Sequence, residues 1–474
     1  MSKLYLFGIG GTGARVIRSL AMLLASGVRC GETDTIIPIL IDPDQSNGDL
    51  TKTIRLLNNY KSIRNNLSFV DDVKSDFFRT DISDSNINYR MPVANVSNKT
   101  FEQYIDYANL AKNDKALVNL LFSDDNLASS LDVGFRGNPN MGSVVLNNFN
   151  DGSLKNVLAN FQSGDKIFII SSIFGGTGAA GFPLLLKTLR QATAPDYTNA
   201  AYINSATIGA ISVLPYFGLK SSSNSKIQME TFISKAKAAL TYYESNIDVD
   251  ALYYITDKLD STYQNVEGSS EQINKAHFVE LAAALSIVDF LKDSNVAHGK
   301  EEVFKEFAVE KDNDSIHFSS LSKSTRDLIG RNMTQMFFLS EFYNHEIKAS
   351  LKHAWAKDRI EESMLTHQEF RDIELFLNSY LDWLKEMSEN KRAFEPLDFE
   401  VAQTDLLKSV HDYEPLKSGF FTKVFKLEVT GFNALSDVME TVSAKMNSGL
   451  GTMDYFMSVF YQATQNLIKN KINF

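Results

Sequence analysis

The chain has 474 residues with 47 Lys plus Arg against 58 Asp plus Glu, and its formal charge of -11 excludes a general nucleic-acid binder, which needs clustered cations to release counterions from phosphate backbones. Hydrophobic residues make up 44% and aromatics 11%, enough apolar surface for a folded globular protein, and the length exceeds the ~100–200 residues of a single core. No apolar run reaches the ~18 residues of a membrane span, so membrane insertion is not expected.

Residues Lys3 to Phe7 read as a short buried strand, and glycines then lead into Ala14 to Leu24, where apolar residues recur at helical spacing. A second apolar run, Ile36 to Ile41, ends at Asp42-Pro43-Asp44. Buried strands alternating with helices imply a parallel sheet, whose ligands bind at the carboxyl ends of the strands. The single cysteine, Cys30, reads as a small buried hydrophobe and fits a reducing, cytoplasmic setting; the start, Met1 to Leu6, lacks the basic region and long apolar core of a signal peptide. Residues 50–130, rich in Asn, Asp and Ser, read as helices and loops over one sheet edge. The alternation resumes with a strand at Ile167 to Ser171, a helix after Gly178, a strand near Ile208 to Leu214, a helix near Ile227 to Tyr243 and a strand at Ala251 to Ile255, so that the sheet runs to about residue 257. Ile273 to Leu291 reads as a strongly apolar helix. Between Ser324 and Lys391 helical periodicity dominates, and Phe420 to Val429 has the composition of one or two strands. The run Glu301-Glu302 reads as a solvated helix face.

Three glycine-rich segments carry the chemistry. Gly8-Ile9-Gly10-Gly11-Thr12-Gly13 stands between a strand and a helix, where glycines let the backbone approach a phosphate and the helix N-terminus attracts it. Its spacing also satisfies the dinucleotide fingerprint, with Asp42 placed to accept a ribose hydroxyl, so an NAD- or FAD-dependent Rossmann oxidoreductase is the competing reading. Phe174-Gly175-Gly176-Thr177-Gly178-Ala179-Ala180-Gly181 repeats the arrangement after a later strand, for which a dinucleotide domain has no use. It is not a P-loop, because no Lys follows the glycines. Between them, Gly134-Phe135-Arg136-Gly137-Asn138-Pro139-Asn140 has the composition of a loop closing over a ligand. None of the seven histidines forms a metal-ligand spacing, and no protein metal site is expected.

In this order the three loops resemble those of the tubulin/FtsZ superfamily, and the bacterial tubulin-like families in particular. The resemblance extends to Asp42-Pro43-Asp44-Gln45, to Leu214-Pro215-Tyr216-Phe217 and to Tyr254-Ile255-Thr256-Asp257-Lys258-Leu259. It implies a parallel Rossmann-like sheet of the tubulin/FtsZ GTPase type over 1–270, a central helix over 271–292 and a mainly helical C-terminal domain over 293–474. It also implies GTP or GDP with Mg2+, ATP being possible, bound by Gly8, Gly10, Gly11, Thr12, Gly13, Asp42, Asp44, Arg136, Gly137, Asn138, Gly175, Gly176, Thr177, Gly178 and Ala179. By the same match Ile273 replaces a Phe that lies on the base and His277 replaces the Asp or Asn that reads guanine, and Asn274 is taken with His277 as a nucleotide-binding residue. The family's catalytic Asn-x-Asp-x-x-Asp pattern is absent from Asn295 to Glu302, so no catalytic residue is assigned and hydrolysis is expected to be slow or to depend on a partner. Asn246 to Asp250 mimics the start of that pattern but precedes a strand, where it reads as a loop entering the sheet. Head-to-tail self-assembly is the implied output; a non-polymerising scaffold whose helical C-terminal region docks a protein partner is the alternative.

Overall fold

The structure is a computed structural model that describes residues 2–93, 96–135, 137–147, 152–219, 229–258, 262–263, 270, 273–306, 314–412, 431–472 and 474. Its centre is an eight-stranded parallel sheet built from β1 (Ser2–Ile9), β2 (Thr33–Ile41), β3 (Asp81–Ile82), β4 (Arg90–Met91), β5 (Lys166–Ser172), β6 (Thr207–Val213), β7 (Ala251–Ile255) and β8 (Val303–Glu306). The spatial order is β8-β7-β6-β5-β1-β2-β3, with β4 also on β2. The central strands are apolar on both faces and are buried along almost their whole length, as parallel strands covered by helices must be.

Helix α1 (Gly10–Ala25) follows β1 and packs with α2 (Gly48–Asn65) and α6 (Phe278–Lys292). Helix α3 (Pro139–Leu146) packs on α4 (Gly176–Arg190), and α5 (Met229–Asn246) lies beside α4. Beyond the sheet the chain is mainly helical: α7 (Lys323–His345), α8 (Gln368–Ser388), α9 (Gly431–Ser443) and α10 (Thr452–Lys471) pack on one another around Phe342, Trp355, Phe456 and Phe460. Helix α8 docks this region on α2, and its Glu386 accepts hydrogen bonds from Arg18 of α1, Lys52 of α2 and the Ala276 amide.

Four expectations from the sequence are corrected. The sheet does not end near residue 257, because Val303 to Glu306 adds a further parallel strand beside β7. Within 50–130, residues 81–82 and 90–91 pair with β2 as short strands. Glu301 and Glu302 are not on a helix; they lead into β8. The helix expected from Ile273 begins only at Phe278, since His277 caps it and Asn274 is held to Asp49 of α2 through its backbone amide at 3.2 Å. The possible strands at Phe420 to Val429 lie outside the described residues, as do the first residues of the helix expected from Ile227.

Candidate functional site

Strand β1 has β2 on one side and β5 on the other, so the connection leaving β1 runs one way across the sheet and that leaving β5 runs the other. Such a switch point opens a crevice at the carboxyl ends of the two strands, which is where open parallel sheets bind ligands. Both glycine turns start there. Gly10 has φ +73, a conformation that favours glycine, and a Cβ built on it would lie 3.7 Å from Thr177 Cβ. The third loop closes the same crevice: Gly134 stands 4.0 Å from Thr177 Oγ1 and from Pro43 Cγ by the same measure. Gly176 meets that loop backbone to backbone, and a Cβ there would fall 3.0 Å from the Asn138 nitrogen and 2.9 Å from Phe135 Cβ. Thus the segments around Gly10, Pro43, Gly134 and Thr177, far apart in sequence, share one place.

The remaining glycines of these motifs brace the turns. Gly8 and Gly13 bring strand and helix into contact, where a Cβ on Gly13 would fall 2.4 Å from the Gly8 carbonyl carbon. Gly175 and Gly178 stand against Ser172 at the end of β5, and the Ala179 amide donates to the Gly175 carbonyl at 3.4 Å. Neither α1 nor α4 has a side-chain cap or an acidic residue in its first turn, so both present bare amides and positive dipole ends to the crevice. Asn138, by contrast, turns its side chain to its own helix, accepting from the Asn140 and Met141 amides at 3.1 and 3.3 Å. Gly137, at φ +71, has its carbonyl held by the Lys235 ammonium of α5. Arg136 lies outside the described residues.

Asp42 and Asp44 are both buried and shape the turn after β2. Asp42 accepts from the Asp44 amide at 3.0 Å, and Asp44 accepts from the amide and hydroxyl of Ser46 at 2.9 and 2.7 Å. Burial first, and then the neighbouring Asp44, push the Asp42 carboxyl up to about 7.

Sequence reasoning missed the group that ties this crevice to the helix after it. Arg15, on the first turns of α1 and almost wholly buried, donates to Glu280 of α6 at 2.5 Å, to Asp49 of α2 at 2.7 Å, to the Tyr216 hydroxyl at 2.9 Å and to Thr12 Oγ1 at 3.4 Å. Burial disfavours the charged guanidinium, but Tyr216, Glu280 and Asp49 outweigh it and raise its pKa above the ordinary value. Gly11 lies against the cluster, 3.5 Å from Arg15 Nη1 as measured from a built Cβ. Asn274 joins it through Asp49, its side-chain amide donating at 3.3 Å.

His277 is buried beside Tyr216, their rings 5.0 Å apart, and forms a capping box with Glu280. Its Nδ1 accepts from the Val279 amide at 3.1 Å, while Glu280 accepts from the His277 amide at 3.2 Å. Burial lowers the imidazole pKa, so the ring is neutral at pH 7 and, with Nδ1 accepting, carries its proton on Nε2. A signal for the cluster did exist: Arg15 and Arg18 in an apolar helix, and Glu280 in another, are charges that burial forces to find partners.

Asn295 to Glu302 lies elsewhere, leading into β8 beside the amino end of β7 and so at the opposite end of the sheet from the glycine loops. Asp250 there accepts from Arg190 at 2.9 Å and from the Ile208 amide at 2.7 Å, holding Asn246 to Asp250 as the entry to β7.

No family model matches the chain, and no curated protein does. Among solved structures, CetZ2 from Haloferax volcanii, a GTPγS-bound protofilament, aligns over 61% of this chain and 58% of that chain at 13% identity and a TM-score of 0.31. CetZ from Methanosaeta thermophila strain DSM 6194 aligns over 61% of this chain and 51% of that chain at 16% identity and a TM-score of 0.25. The chain therefore spans less than two thirds of the length of either.

Proposed function

We propose that the crevice binds a nucleoside di- or triphosphate in the manner of the tubulin/FtsZ superfamily, its phosphates held among Gly10, Gly11, Thr12, Gly137, Asn138, Gly176, Thr177 and Gly178. The observation that carries this reading is the meeting of three glycine loops and two uncapped helix starts at the switch point between β1 and β5. The strand order suits a dinucleotide domain equally well, and it is the second phosphate-grade turn, at Thr177, that favours a mononucleotide. Magnesium would enter as a companion of the phosphates, since Mg2+ is commonly bound through substrate phosphates and water.

Its output is nucleotide-controlled, head-to-tail assembly with weak turnover. Asn295 to Glu302 and the glycine loops occupy opposite ends of the sheet, so stacking copies along the strand direction sets one segment over the next copy's crevice. That segment lacks the Asn-x-Asp-x-x-Asp pattern, and burial, with Asp248 and Asp250, raises the Glu302 carboxyl above its usual pKa. The deciding experiment is chromatography of whatever denaturation releases from the purified protein, expected to be GTP or GDP, followed by light scattering and phosphate release with GTP, ATP or no nucleotide. Assembly that needs nucleotide, with slow phosphate release, is the expected outcome. Release of NAD or FAD would overturn the nucleotide assignment, and fast phosphate release from a protein that never assembles would overturn the assembly mechanism.

A further inference from the structure

Adjoining the crevice, with which it shares Asn138, a groove of about 1020 Å³ runs between α3, α4 and α5. Asn138 and Gly175 stand at the end it shares with the crevice, whereas Gly10, Gly11, Thr12 and Thr177 do not line it; its walls are the outward stripe of α4 (Ala179, Pro183, Lys187) and the facing side of α5 (Lys235, Ala239, Tyr242). The volume suits a molecule of a few hundred daltons. The lining combines an apolar bed with an excess of cations. Arg190 is neutralised by Asp248 and Asp250, whereas Lys187 and Lys235 make no ion pair among the described residues. Lys235 is partly buried, which lowers its pKa, and its ammonium holds the Gly137 carbonyl. Tyr242 is 50% exposed and lines the groove.

We infer that this groove is a binding site for a small amphipathic anion, with an aromatic or aliphatic body against Tyr242, Ala239 and Pro183 and an acidic group at Lys187 and Lys235. A half-buried ammonium without a carboxylate, as at Lys235, gains from an anion that the exposed Lys187 can also meet, and the neighbouring apolar wall selects one that carries carbon rather than a bare inorganic ion. Lys235 gives the site a second consequence. An anion that engages its ammonium competes with the Gly137 carbonyl, loosening the loop that closes the phosphate crevice and so weakening nucleotide binding. This coupling rests on the nucleotide reading given above; occupancy of the groove does not.

The test uses the full-length chain without nucleotide and the probe 8-anilinonaphthalene-1-sulfonate, an aromatic sulfonate, followed by calorimetry. One saturable site is expected in the wild type. Lys187→Glu and Tyr242→Ala, both at exposed positions and checked for folding by circular dichroism, should each weaken it about tenfold, and Lys187→Arg should preserve it. Binding that does not saturate at one site, or that is unchanged in both weakening variants, overturns the site. In a second titration the probe should raise the dissociation constant of GTPγS severalfold in the wild type and leave it unchanged in Lys235→Met. An equal effect in both proteins overturns the coupling through Lys235. A chain that binds no nucleotide under any condition defeats the nucleotide reading and the coupling together, while the first titration still decides the groove.

Discussion

Helices α1 and α4 begin without a side-chain cap and without an acidic residue in their first turns, whereas α6 begins with a reciprocal capping box between His277 and Glu280. The open starts face the crevice, where amides left unpaired by the protein suit a ligand's oxygens. The closed start faces inward, and its polar groups are used: Glu280 accepts from Arg15, Tyr216 and the His277 amide. One end of the site is thus kept available while the other is locked to α1 and α2. The distinction separates residues whose loss should abolish binding from those whose loss should unfold the scaffold.

The largest effect is expected on the locked side. Arg15→Leu would leave Asp49 and Glu280, both with fully buried side chains, facing each other without their common cation. Breaking a buried ion pair from one side costs about 3–5 kcal/mol, so the urea midpoint should fall steeply. An unchanged midpoint would mean that the carboxylates are already discharged and the network contributes little.

On the open side, Gly176→Val should act on the ligand as well as the loop. Its Cβ would press on Phe135 Cβ and on the Asn138 nitrogen, driving the third loop off the crevice. Nucleotide affinity should drop by roughly a hundredfold or more, the equivalent of about 3 kcal/mol, with the helical circular dichroism signal retained. Wild-type affinity in a folded Gly176→Val protein would remove Gly176 from the site.

The same division explains what could be read from the sequence. The glycine turns were legible because a strand, a run of glycines and a helix are local signals; β1, β2, β5, β6 and β7 appear within a few residues of where their apolar runs place them. Of the Arg15 network only the presence of charges in apolar helices was legible; their pairing was not, since Arg15, Asp49, Tyr216 and Glu280 are joined only by the packing of α1, α2 and α6. Strand β8 was missed because Val303 to Glu306 is short, alternates in burial and sits on an edge, where no long apolar run is needed. The start of α6 was placed five residues early because Ile273 and Ala276 continue its apolar pattern, while the cap that ends it is a histidine, outside the usual Ser, Thr, Asp and Asn.

A smaller effect belongs to the turn between the two sides. Asp42 titrates near 7 in the folded protein against about 3.9 in an unfolded chain. Its folded pKa is raised, so the folded state holds the proton more tightly; the stability this gives is complete below about pH 4 and is lost as pH climbs to about 7. For one proton the slope cannot exceed about 1.4 kcal/mol per pH unit. Asp42→Asn keeps an acceptor for the Asp44 amide and removes the charge, so the variant should lose less stability than the wild type between pH 5 and 8. Glu341, also raised to about 7 but on α7, contributes equally to both proteins and cancels in the difference. Parallel stability curves would show that Asp42 is ionised in the folded state throughout.

The smallest effect, and the one that best separates cap from contact, is at His277. His277→Ala removes the acceptor for the Val279 amide and leaves Glu280 with half of its capping box, which costs about 1 kcal/mol of stability. His277→Asn supplies a strong N-cap in the same place and should restore that loss. Base recognition would follow a different pattern. With Nδ1 committed to the helix, only the Nε2 proton of His277 remains to meet a base, so a purine must present an acceptor to it. Alanine offers no such donor, and the amide of asparagine places its donors on a shorter arm. The ratio of GTP to ATP affinity, measured by competition titration, should therefore move in both variants although only one of them is destabilised. Identical ratios in all three proteins, with stability lost in Ala and regained in Asn, would leave His277 as the cap of α6 and nothing more, and would put base selection on other residues of the crevice.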